Sequence, residues 1–131
     1  AIPNLLRSRI AANEASAVGS MRSINTVCVT YSSTYGGFPP SLAALGPAAA
    51  GAAPSAAAAD LIDSVLAAGT KSGYTFTYTP GAAVAGSIPT YTVNGDPVTP
   101  GTTGQRYFFT DQSGVVRADP AAKATVASTP I

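Results

Sequence analysis

The chain has 131 residues, a length that suits one domain around one core. Seven Lys and Arg stand against six Asp and Glu, a net charge of +1, so no basic stripe is present to meet a nucleic-acid backbone. Only 10% of residues are charged, well below the usual share of about a quarter, a composition that suits a protein that self-associates or works outside the cell.

The first third reads as one long helix. Leu6, Ile10, Ala17, Met21, Ile24, Cys28, Tyr31 and Tyr35 recur at steps of three and four, with Glu14 in the one polar gap. That spacing stacks side chains along one helical face. Pro3 is tolerated in the first turn. Thr30, Ser32, Ser33 and Thr34 weaken the propensity near the end, and Gly36-Gly37 with Pro39-Pro40 stops the helix. A helix of more than thirty residues is far above the mean of about a dozen, so its length needs a reason.

Residues 37–72 read as an Ala- and Pro-rich connection. It has a single turn at Ser41–Leu45, a low-complexity run from Pro47 to Ala59, and a short helix at Leu61–Ala68. Asp60 is the expected N-cap, Asp63 favours the positive helix start, and Gly69 is the stop.

From Gly73 the period changes to two. Tyr74, Phe76 and Tyr78 alternate with Thr75, Thr77 and Thr79, the signature of a strand. Thr90–Val93 is a second strand, followed by turn-rich residues from Asn94 to Gly104. Arg106–Thr110 is a third, and Asp111-Gln112-Ser113-Gly114 turns into a fourth at Val115–Ala118. The tail, 120–131, has little pattern. The expected fold is α+β: one long helix, with Met21, Ile24, Cys28 and Tyr31 packed on an antiparallel sheet of about four strands.

The chain has no histidine, which removes Ser-His-Asp and Cys-His catalysis and most zinc sites. Asp60 and Asp63 read as helix capping rather than as an acid–base pair. Gly101-Thr102-Thr103-Gly104 is turn punctuation and not a phosphate loop. Asp111-x-Ser113-Gly114 reads as a hairpin turn, since calcium needs six or more oxygens. Lone Cys28 on the apolar stripe reads as a small buried hydrophobe, and alternating tyrosines read as sheet packing rather than stacking platforms. The expectation is no enzyme, no cofactor and no metal.

The opening Ala1-Ile2-Pro3-Asn4-Leu5 resembles the end of the N-terminal segment of type IV pilins and pseudopilins. Arg7-Ser8-Arg9-Ile10-Ala11-Ala12-Asn13-Glu14-Ala15 continues in that style. So do the helix from Gly19 to Tyr35, the Phe38-Pro39-Pro40-Ser41-Leu42 exit, and Tyr107–Asp111 with Ser113-Gly114-Val115. The Ala-rich stretch matches nothing in particular. There is no initiating Met and no 18-residue apolar run, so an upstream segment is expected to have been removed.

The resemblance implies an apolar span of about twenty residues before this point, long enough for a bilayer, with the family's glutamate and methylated N-terminal residue. It further implies export, leader removal by a dedicated peptidase, anchorage in the inner membrane before assembly, and partners consisting of other copies and the assembly machinery. The implied location is an extracellular filament or the periplasm. Ile2, Pro3, Leu5, Leu6, Arg7, Arg9, Ile10 and Glu14 are the implied assembly residues. Major pilin, type II secretion pseudopilin and minor tip pilin acting as an adhesin remain alternatives. A lone cysteine cannot close the C-terminal disulfide of many major pilins. Arg7 and Glu14 are seven residues apart and Arg9 and Glu14 five. Neither pair has the three- or four-residue spacing of a helical ion pair, so these charges are expected beyond reach of the sheet, solvated until neighbouring helices pack around them.

Overall fold

The apolar stripe does form a helix. In the computed structural model, which describes residues 2–131 and side chains from Leu5 onward, α1 runs Ile2–Tyr35. Ala17, Met21, Ile24, Cys28 and Tyr31 are all buried on one face. The Thr-rich end stays helical because Thr26, Thr30 and Thr34 donate their hydroxyls to the carbonyls of Arg22, Thr26 and Thr30 at 3.0, 3.3 and 3.0 Å, satisfying themselves within the helix. Gly36 ends it in the left-handed region, φ 83°, where a residue without Cβ is unstrained.

Behind α1 come a 3-10 turn at Ala43–Leu45 and a four-residue helix α2, Ser64–Ala67. The strands are β1 Thr70–Lys71, β2 Tyr74–Pro80, β3 Tyr91–Pro97, β4 Tyr107–Asp111, β5 Arg117–Asp119 and β6 Thr129–Pro130. They form one antiparallel sheet in chain order. The fold is α+β with six strands rather than about four. The two additions are the two-residue edges, set by ladder bonds rather than by any side-chain period.

One core joins helix and sheet. Met21, Ile24 and Cys28 pack with Tyr74, Phe76, Tyr91, Val93 and Phe108. A polar chain runs through it: Tyr91 donates its hydroxyl to Asn25 Oδ1 at 2.8 Å, and Asn25 Nδ2 donates to Thr110 Oγ1 at 2.8 Å. Buried polar atoms placed this way hold one helix orientation on the sheet.

Two elements differ from the sequence reading for identifiable reasons. Residues 94–97 look like turn formers but extend β3, where Gly95 leaves room for the Phe76 ring and the end of the Met21 side chain. A Cβ there would stand 3.3 Å from the Phe76 ring and 3.5 Å from Met21 Cε. The short helix starts at Ser64, not Leu61, and its N-cap is Asp63, whose Oδ1 accepts from Leu66 N at 2.8 Å. The amides of Ala59, Asp60, Leu61 and Ile62 donate instead to carbonyls of Ala44, Gly46 and Leu45, which holds that segment extended against the 3-10 turn. Asp60 sits at φ 58° and caps nothing.

The tail crosses the sheet face away from α1. Its Ala124 is buried, and Asn94 Nδ2 donates to Ala124 O at 2.9 Å.

Candidate functional site

The site to consider is the N-terminal part of α1, where the implied assembly residues lie. The side chains of Ile2 and Pro3 lie outside the described residues. Leu5 is 69% exposed and Leu6 46%. Arg7, Ser8 and Arg9 are exposed as well, and Ile10 is half-buried. Two leucines presented to water near the N-terminal end of α1 form an exposed apolar patch. Among the described residues, the first side-chain hydrogen bonds from α1 to the rest of the fold come from Asn13 and Glu14.

Glu14 ties the helix to the segment that leads into β4. Its Oε2 accepts from the backbone N–H of Gln105 at 3.0 Å and of Arg106 at 3.1 Å, and its Oε1 accepts from Arg106 Nε at 2.9 Å. Its neighbour Asn13 donates Nδ2 to Thr103 O at 2.9 Å. The Arg106 guanidinium also lies 5.1 Å from the Phe108 ring centroid, a favourable position over an aromatic face. Partial burial pushes the Glu14 carboxyl up. The Gln105 and Arg106 amides and the Arg106 guanidinium outweigh that, so its pKa falls below the ordinary glutamate value. The expectation of a solvated Glu14 is therefore replaced: this carboxylate is anchored within its own chain.

The partners Gln105 and Arg106 were missed, although a signal was present. Glu14 occupies the polar gap of the very stripe that faces the sheet, and a carboxylate there requires donors from the sheet side. Arg7 and Glu14 share with Ile10, Ala11 and Gln105 the walls of an open recess of about 380 Å³, while Arg9 stays exposed. So the structure brings Arg7, Ile10 and Glu14 together and leaves Leu5, Leu6 and Arg9 outside.

Other candidates have structural roles. Burial raises the Cys28 thiol to about 12, which makes it a poor nucleophile. Asp111 Oδ1 accepts from Ser113 N at 3.0 Å, and Asp119 Oδ1 accepts from Ala121 N and Ala122 N, both at 2.9 Å. Both carboxylates shape turns. Among the described residues no three of His, Cys, Asp and Glu gather as a metal site, and no helix is long and apolar enough to cross a membrane.

Comparisons with protein-family models, with curated proteins and with solved structures find no match to this chain.

Proposed function

We propose that the chain is a structural subunit of a type IV pilus-like filament, assembling through the N-terminal turns of α1. The observation that carries this reading is the division of that helix. From Asn13 onward it is tied to the segment that leads into β4, while Leu5 and Leu6 lie N-terminal to these ties as an exposed apolar patch. An exposed apolar patch near a helix end is suited to burial among equivalent helices of other copies. The low charge and the small residues Ala11, Ala12 and Ala15 on the exposed turns favour close helix approach. The pilin-like order of the opening residues supports the same reading. It carries with it, as part of the proposal, export, membrane anchorage before assembly, and a structural rather than catalytic role.

The test replaces both leucines in the natural precursor. Leu5→Glu with Leu6→Glu should leave the melting temperature of the isolated 131-residue chain within about two degrees, since exposed positions contribute little to folding. Filament yield in the native cell should fall at least about tenfold, the effect of placing charges in a dry helix bundle. Normal filament yield from the double variant would overturn the proposal.

A further inference from the structure

The sheet face opposite α1 carries a second, smaller apolar site. Phe109 and Ala124 are buried, at 7% and 1% exposure, yet neither belongs to the main core cluster. Register explains where they lie. Asn94, Phe109 and Arg117 form one row across β3, β4 and β5 on the outer face. The C-terminal segment crosses that row, with Asn94 donating to Ala124 O at 2.9 Å and Arg117 Nη1 donating to Ser128 O at 3.0 Å. Lys123 Nζ lies 3.0 Å from Asp96 Oδ2, two residues along β3 on the same face. The segment is a strap over Phe109.

This strap is held lightly for its length. It buries one alanine, and β6 contributes only two ladder pairs, one of them through Pro130, which has no N–H to donate. Its charged tie is exposed on the lysine side, 61%, and leaves Asp96 Oδ1 buried without a hydrogen-bond partner. An exposed ion pair holds weakly, and every residue the strap orders costs conformational entropy. Segments with so few buried contacts open well before the global fold does. The exposed Asp119 turn, closed by Ala121 N and Ala122 N, is the natural hinge.

We propose that the outer sheet face is a docking surface for the C-terminal segment of a second copy of this chain, seated by exchange of the strap. When the strap opens, Phe109 loses its cover. The face then requires a small residue over the ring, a cation opposite Asp96, and carbonyls for Asn94 and Arg117. The chain carries that complement itself in residues 123–128, so another copy supplies identical contacts. Exchange then makes and breaks the same bonds, and high local concentration decides its extent. The inference is independent of the filament reading and would hold for any close-packed assembly of these chains.

A charge-swap mixture tests it. The chain with Asp96→Lys and the chain with Lys123→Asp are each mismatched within themselves and in their own exchanged dimers. The reciprocal exchanged heterodimer matches both pairs, Lys with Asp on each face. Sedimentation at low salt should show at least about threefold more dimer in the equimolar mixture than in either variant alone, from two weak surface pairs. The double variant in one chain should behave as the unmodified protein. Amides of Thr129 and Ile131 should exchange with solvent at least about tenfold faster than those of Val93 and Phe108. A mixture no more dimeric than its parts would overturn the proposal, with fast strap amides then pointing to a different occupant. Strap amides that exchange only on global unfolding would overturn it outright.

Discussion

Arg106 reaches Glu14 twice: its backbone N–H donates to Oε2 at 3.1 Å and its Nε donates to Oε1 at 2.9 Å. One carboxylate thus fastens α1 to the segment that leads into β4. Together with the Asn13 amide beside it, this glutamate supplies the first side-chain ties of α1 to the rest of the fold among the described residues.

Glu14→Ala should destabilise the isolated chain by about 1–3 kcal/mol, because two backbone donors and a guanidinium lose their acceptor. Arg7→Ala and Arg9→Ala, both at exposed positions, should each shift stability by no more than about 0.5 kcal/mol. Thermal and urea melts of the three variants check this ordering. An unaltered Glu14→Ala would mean the clamp contributes nothing to folding.

Acid should loosen the same clamp. The Glu14 pKa is lowered in the folded state, so its contribution is complete above the unfolded glutamate value of about 4.3. It is lost as pH falls through the folded value. Asp119 is shifted in the same direction by its two turn amides, although it is exposed. Glu14→Gln should flatten the acid limb of the stability curve, measured as urea midpoints from pH 6 to pH 2. An unchanged acid limb would remove Glu14 as its source.

A methyl group at residue 104 has no room. A Cβ there would overlap the hydroxyl of Tyr74, a fully buried ring whose hydroxyl donates to Arg106 O at 2.6 Å. Gly104→Ala should cost about 1–3 kcal/mol and disturb the Glu14 clamp next to it. Gly86→Ala is the control for a crowded site, since a Cβ there meets nothing within 4 Å. Its cost should be limited to the backbone strain of φ 82°. Melts of the two variants, with the Arg106 amide shift by NMR, separate the effects.

Cys28 should be silent toward thiol reagents. It is fully buried, and that burial raises its pKa to about 12. Labelling at pH 8 should run at least about a hundredfold slower in the folded chain than in urea. Rapid labelling without denaturant would contradict the helix–sheet packing around it.

Much of this arrangement was legible from residue spacing. The stripe through Met21, Ile24, Cys28 and Tyr31 and the alternation of Tyr74, Phe76 and Tyr78 each declare an element and the face it buries. Residues 94–97 did not, because Asn, Gly, Asp and Pro have turn chemistry. Only the tertiary approach of Met21 and Phe76 shows why Gly95 belongs in a strand. The start of α2 was hidden for a similar reason, since backbone bonds from the amides of residues 59–62 to carbonyls of residues 44–46 hold that segment extended, and no local pattern declares them. The strap was invisible because Ala, Thr and Ser have no period, and its placement rests on backbone carbonyls. At the candidate site the position of Glu14 on the stripe was readable, but its donors were not, lying more than ninety residues away in the chain.

The filament reading is tested most directly by finding the protein in place. Surface filaments sheared from the native cells should contain this chain as their most abundant protein by mass spectrometry, and immunogold against its sheet domain should label them along their whole length. Gold confined to filament tips, or filaments that lack the chain altogether, would contradict the account.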